Sequence, residues 1–294
     1  MVKSPGEELR SKTYGLPLYC AAWVPLDQIS SPPKAASSTA NEAAEEREGG
    51  EKILPTTGVD VAGEVVADSP KSLPNGNQLL LALGGGGGEG RSGVPNAILL
   101  TLFDLDSKSL SVHPVHRVGT EGEVPYRMAM HPCGDGIVCS FPKSCRLFEW
   151  DISKSMEPSK VALKCSGITL KQLTDVGLQL ALTFSSDGTS LATGGEDGHL
   201  RVFKWPSMDI FLDETYAHTT IKHLDFSSNG KYLVSIGERG CCKVWNLASS
   251  TTPLTLKIGD GFSFCRFSED SDALYFTTIH GEIGKIISLK HPFV

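Results

Sequence analysis

Four stretches of the chain repeat one pattern: YRMAMHPCGDGIVCSFPKSCRLFEWD (126–151), LALTFSSDGTSLATGGEDGHLRVFKW (180–205), KHLDFSSNGKYLVSIGERGCCKVWNL (222–247) and SFCRFSEDSDALYFTTIHGEIGKIIS (263–288). In each, a short strand-like run ends at Met130, Phe184, Phe226 or Phe267. A polar turn follows, then a second run, a tight turn, and a third run ending near Trp150, Trp205, Trp245 or Ile287. Self-similarity at roughly 40–45 residues, with four short strands per unit, is the mark of a propeller blade. Runs such as LRVFKW and CKVWNL are rich in the β-branched and aromatic residues that a half-buried pleated surface prefers. The turns SSDG and SSNG supply Asp, Asn and Gly where the backbone must bend sharply. No segment carries sustained 3.6-residue periodicity, so helix content is low and a helical solenoid is disfavoured. A plain β-sandwich leaves the repeat length unexplained.

Fourth strands fit between the units: VALKCSG (161–167), DIFLDE (209–214) and PLTLKI (253–258). Only KHPFV follows the last unit. Upstream, GLPLYCAAWVP (15–25), QLLLAL (78–83), AILLTLFDL (97–105) and SLSVHPVHRV (109–118) supply another blade. The fold class is therefore all-β, a WD-repeat-like β-propeller of about five blades with the last one incomplete; closed propellers commonly have four to eight. An open last blade leaves an unpaired edge, which suggests that the chain stops early. The organisation expected is a tail at 1–13, a propeller over 14–290 and a short end at 291–294. Residues 27–77, Ser/Ala/Glu-rich through SSPPKAASSTANEAAEEREGGEK, interrupt the first hairpin and are expected to be a disordered acidic insertion.

At 294 residues the chain is long enough to bury a core. Its net charge of −7 weighs against non-specific binding to DNA or any nucleic acid, which Lys and Arg drive. None of the eight cysteines has C-x-x-C spacing, so they read as reduced, mostly buried thiols rather than a zinc site. The polar start MVKSPGEELRSKTYG is no signal peptide. No run approaches the roughly 18–20 apolar residues of a spanning helix, so the chain as given is expected to be soluble.

Five consecutive glycines, Gly84 to Gly88, lie between two apolar runs. A phosphate cradle needs G-x-x-x-x-G-K-[ST] between strand and helix; no Lys follows, and AILLTLFDL reads as a strand. A dinucleotide loop fails for want of the same helix. What remains is a loop projecting from one face between two strands of one blade. Its exposed backbone groups suit close contact with another backbone, or ligation of a cation by carbonyls.

GGGGGEGRSGVPNAILL (84–100) resembles the glycine loop of the Sec-twelve-type proteins, WD-repeat exchange factors on the endoplasmic reticulum membrane. The pattern Gly-Gly-Gly-Gly-x-Gly-x-x-Gly-[Ile/Val]-Pro-Asn stands complete, ending at Val94, Pro95 and Asn96. GLPLYCAAWVP resembles the family's first strand, and FSSDGTSLATGGEDGHLRVFKWP with AHTTIKHLDFS resembles its plant members. The likeness covers 14–27 and 78–290.

The resemblance implies a seven-bladed propeller on the cytosolic face of the endoplasmic reticulum, followed by a membrane anchor; against that pattern the sequence as given is expected to lack the last two blades and the anchor. The implied partner is the small GTPase that starts COPII coat assembly. The implied activity is guanine-nucleotide exchange, with Asn96, Pro95 and Val94 inserting near the GTPase switch regions to release GDP. Gly84, Gly85, Gly86, Gly87, Gly88, Glu89, Gly90, Arg91, Ser92 and Gly93 form the contact loop, and the backbone of Gly84 to Gly87 is expected to hold a potassium ion. No organic cofactor and no covalent chemistry are required. The alternative is a WD-repeat scaffold or an export accessory protein without exchange activity.

Other residues read as structural. Trp150, Trp205 and Trp245 are expected to pack and hydrogen-bond within blades. A Ser/His/Asp triad drawn from His218 and Asp197 lacks a G-x-S-x-G elbow, so inter-strand hydrogen bonding is the expected role. His131 and His223 are placed on strands, and Asp104 and Asp106 beside a turn.

Overall fold

A computed structural model of the chain describes residues 12–29, 77–90, 92–150, 163–249, 252–258, 261–278 and 283–288. They form five antiparallel sheets arranged as propeller blades. Blade I contains β1 (Leu18–Val24), β2 (Gln78–Gly85), β3 (Ala97–Asp104), β4 (Ser109–Leu110) and β5 (His116–Gly119). Blade II is β6 (Arg127–Met130), β7 (Ile137–Ser140), β8 (Cys145–Trp150) and β9 (Leu163–Thr169). Blade III is β10 (Gln179–Phe184), β11 (Ser190–Gly195), β12 (Leu200–Lys204) and β13 (Asp209–Glu214). Blade IV is β14 (His223–Phe226), β15 (Tyr232–Ile236), β16 (Cys241–Asn246) and β17 (Leu254–Lys257). Blade V is β18 (Phe262–Phe267), β19 (Ala273–Thr278) and β20 (Ile283–Ser288), with no fourth strand among the described residues.

The first strands end at Met130, Phe184, Phe226 and Phe267, the positions that the repeat marks. One expected strand, 109–118, is split. Ser111 N–H donates to Leu102 O and Val115 N–H to Leu100 O, so four residues span what two cover on β3. Pro114 lies inside this bulge, where its missing N–H breaks no ladder bond. The first residues of the supposed insertion are ordered. Leu26–Ile29 form a short helix, and Ile29 packs against the core between blades I and II. At its far end Asn77 Nδ2 donates to Asp106 Oδ2 (2.8 Å), and residues 30–76 lie outside the described ones.

Apolar layers fill the gaps between blades. Leu80, Ala82, Ile98 and Leu100 of blade I meet Ile137 and Phe148 of blade II. Comparable layers lie between blades II and III around Leu191 and Phe203, between III and IV around Val202 and Leu233, and between IV and V around Val244 and Phe276. Each such side chain contributes about 1.5–3 kcal/mol by leaving water.

Turns joining the first two strands of blades II to V interlock. In SSDG, Ser185 Oγ donates to Asp187 Oδ1 (2.6 Å) and accepts from Ser190 N–H (3.0 Å). Ser227 with Asn229, and Ser268 with Asp270, repeat this. Ser186 Oγ then donates to Ser228 O (2.8 Å) in the next blade's turn. His131 just follows β6 rather than lying on a strand. Its Nε2 contacts Gly188 O at 3.0 Å and so ties blade II to blade III. These short polar links fix blades II, III and IV each against the next at the end opposite the glycine loop.

At the other end, the loops joining second and third strands meet the connections between blades. Thr120 N–H donates to Asn96 O, Asp175 N–H to Lys143 O, His218 N–H to Gly198 O and Ile258 N–H to Gly240 O. One face of the propeller is therefore a continuous run of loops, and the glycine loop belongs to it.

Candidate functional site

Gly84 and Gly85 end β2. They pair with Cys20 and Leu18 on β1 and with Ile98 and Ala97 on β3, so their carbonyls lie within the sheet. A Cβ on Gly85 would stand 1.9 Å from Pro17 O, so only glycine admits the segment crossing there. That segment also brings Tyr14 and Leu16 over Leu83, Ala97 and Leu99. Tyr14 Oη donates to Ser111 O (2.8 Å) and lies 2.8 Å from Thr101 Oγ1. The base of the loop is thus clamped, and Tyr14 belongs to the ordered blade.

The loop proper begins at Gly86, whose N–H donates to Pro17 O at 3.0 Å. Gly86 has φ +147°, and a Cβ there would lie 2.2 Å from Asn96 Oδ1. Gly87 N–H donates to Val94 O at 3.3 Å, which closes the two arms. Val94 N–H donates to Ser92 Oγ at 3.3 Å.

Asn96 organises the loop from below. Its side chain is buried, with 5 % exposure. Its Oδ1 accepts from Gly88 N–H (2.9 Å), and its Nδ2 donates to Gly88 O (3.2 Å) and Glu121 O (3.1 Å). The amide thus pairs with the Gly88 backbone as a neighbouring strand would. The side chain expected to insert into a partner is fully engaged inside the loop. What the loop turns outward is Glu89, Gly90, Ser92, Gly93 and Pro95, with Gly87, Gly88 and Val94 half-buried. Arg91 lies outside the described residues.

A second turn supports the first, and nothing in its residue types marks it for this role. Glu121, at φ +61°, offers its carbonyl to Asn96. Thr120 Oγ1 donates to Glu123 O (2.8 Å), and the Glu123 carboxylate is ion-paired with Arg146 at the start of β8. The Arg146 guanidinium also stacks 4.3 Å over the Phe141 ring. The loop is thereby braced against blade II.

The backbone oxygens of the loop are the groups here that could hold a cation. Among the described residues, none donates a hydrogen bond to the carbonyls of Gly86 or Gly87, whereas those of Gly84 and Gly85 belong to the ladder. No group of three His, Cys, Asp or Glu occurs among the described residues.

The Cys20 thiol beneath Gly84 is pushed up to about 12 by burial, against the pull of the Arg127 charge. His218 and Asp197 are separate. His218 Nε2 lies 2.7 Å from Ser235 Oγ, to which Trp245 Nε1 donates at 2.9 Å. Asp197 pairs with Arg201 at 2.6 Å. Of Trp150, Trp205 and Trp245, only Trp245 donates its indole N–H within its own blade among the described residues. Trp205 Nε1 reaches Asp135 at 3.4 Å, and Trp150 Nε1 is buried with no partner among the described residues. Asp104 accepts from Ser107 N–H and Oγ, which hold its carboxyl below the usual range. No helix among the described residues is long and apolar enough to cross a membrane.

Comparison with known proteins agrees with this architecture. Residues 174–204 and 211–246 match the WD domain, G-beta repeat. SEC12-like protein 2 of Arabidopsis thaliana is 38 % identical over 290 residues, covering 94 % of this chain and 65 % of that protein. SEC12-like protein 1 of the same plant is 34 % identical over 186 residues, 61 % of this chain and 45 % of that protein. The guanine nucleotide-exchange factor SEC12 of Mus musculus is 26 % identical over 242 residues, 66 % of this chain and 56 % of that protein. The chain therefore spans less than two thirds of the length of each of these relatives. Five WD-type blades, the glycine loop and this similarity over nearly the whole chain agree: the chain belongs to the Sec12-like WD-repeat family.

Proposed function

We propose that this chain is a guanine-nucleotide exchange factor for the small GTPase that initiates COPII coat assembly, acting at the cytosolic face of the endoplasmic reticulum. The observation that carries the reading is the glycine loop, which is exposed at its tip and pinned at its base by a buried asparagine. Flexible loops lose much of their binding energy to ordering. A loop already closed by Asn96 and by the Gly87–Val94 bond meets its partner with most of that cost met in the fold.

Exchange needs no bond made or broken. It is a population shift, driven by tighter binding of the nucleotide-free GTPase than of its GDP form. Pro95, Ser92 and Gly93 are the groups assigned to contact the switch regions and disturb the contacts that hold Mg²⁺ and the phosphates. Asn96 is a positioning residue, acting through the loop it shapes. A potassium ion held by the carbonyls of Gly86 and Gly87 would stiffen the loop further.

The test is release of a fluorescent GDP analogue from the GTPase, with and without the chain, in potassium and in lithium buffer. Acceleration that is strongest in potassium supports both the reading and the ion. Unchanged release by a folded chain favours a scaffold without exchange activity; the plant relatives, whose names carry no activity, keep that reading open.

A further inference from the structure

The face that carries the glycine loop also carries a pocket of about 660 Å³ on blade IV. Tyr216, His218 and Thr219 from the connection entering the blade line it, as do Glu238 and Arg239 from the turn between β15 and β16 and Lys243 on β16 itself. Tyr216 is 92 % exposed, an unusual position for a large aromatic ring.

Alignment of the repeats gives this pocket its charge. Blade III has GEDGHLR at 195–201, and blade IV has GERGCCK at 237–243. In blade III the third and seventh positions, Asp197 and Arg201, form an ion pair at 2.6 Å. In blade IV the same positions are Arg239 and Lys243. An internally neutral pair has become two cations, and neither has a carboxylate partner among the described residues. Glu238 is shared by both turns, because Glu196 occupies its place in blade III, so it does not offset the difference. Arg239 also adopts φ +54°, where its blade III counterpart has an ordinary backbone. Exposed tyrosine and arginine together are the residue types that anchor protein interfaces.

We propose that this pocket is a second contact for the GTPase engaged by the glycine loop, taking an acidic stretch of that partner between Tyr216 and the Arg239–Lys243 pair. The inference rests on the exchange reading above. The glycine loop acts on nucleotide release, and the blade IV pocket supplies affinity and steering. Charges at an interface rim act chiefly on association and its salt dependence.

The test uses the full chain with Arg239→Asp, which restores the blade III charges beside Lys243, and with Tyr216→Ala. Arg239→Asp is expected to fold with unchanged or raised Tm. It should raise KM for the GTPase about tenfold with kcat unchanged, and it should flatten the rise of KM with salt. Tyr216→Ala should raise KM in the same sense. An unchanged KM and salt dependence in both variants, alongside active wild type, overturns the second contact and leaves the exchange reading standing. A folded wild type that never accelerates release overturns the exchange reading and the second contact together.

Discussion

Replacing Asn96 with alanine removes three hydrogen bonds at 2.9, 3.2 and 3.1 Å and leaves the Gly88 backbone and Glu121 carbonyl without that partner. At about 1 kcal/mol net for each bond, loop closure loses about 3 kcal/mol. That is about a hundredfold in the ratio of closed to open loop, at 1.4 kcal/mol per decade. The loss is local, because the β2–β3 ladder from Gln78↔Asp104 to Gly85↔Ala97 does not include the Asn96 side chain. Global stability should fall by only about 1 kcal/mol, the scale of ordinary substitutions. Hydrogen exchange at the Gly88 amide reads the loop directly, and its protection should drop by one to two decades, within the roughly hundredfold estimate. GDP-release kcat should fall about ten- to a hundredfold, since only closed loops present Pro95 in place. Full protection at Gly88 and full exchange activity in Asn96→Ala would refute the reasoning.

Gly86→Ala should be worse for the fold than the usual loss at a positive-φ glycine, because the added carbon meets Asn96 Oδ1 at 2.2 Å; urea denaturation should show a loss of more than about 1 kcal/mol. Ser235→Ala strips both His218 Nε2 and Trp245 Nε1 of their partner and should cost about 1–3 kcal/mol by thermal melting. Burial first, then nearby Lys243, lowers His218 to about 4; burial, then Arg266 and Arg127, does the same to His223. The unfolded chain therefore takes up protons first as pH falls, and stability should decline from about pH 6.5 to 4. Asp225, raised chiefly by burial, opposes this in the acid range, so a shallower slope in His218→Gln isolates the histidine share. Arg146→Leu leaves Glu123 half-buried without its ion partner and should lower both Tm and exchange activity, since it removes the brace behind Glu121.

Much of the fold was legible because each blade repeats the same local chemistry. The ends of β10, β14 and β18 fall where the repeat places them, since the Ser-x-Asp/Asn turns close on their own side chains within five residues, and β6 ends where His131 N–H turns back onto Gly136 O. The split of 109–118 was hidden because the strand's alternation continues through the bulge and only Pro114 hints at it. At the site, the glycine run and Asn96 stood out, but the direction of the Asn96 side chain did not. Motif spacing places a residue at the end of a loop without saying whether it faces a partner or its own backbone. The brace at Glu121, Glu123 and Arg146 was invisible because it depends on contact between blades, with ordinary charged residues on turns. The blade IV cations were in the text all along. They acquire meaning only when Asp197 and Arg201 are seen paired in blade III.

The most direct measurement replaces residues 86–96 with Asn-Gly, a two-residue hairpin turn suited to the Gly85↔Ala97 register. The variant should fold, with circular dichroism like that of the parent, and should no longer accelerate GDP release from the COPII GTPase. A folded, loop-less chain that still releases GDP at the parental rate would contradict the claim that the glycine loop carries the activity.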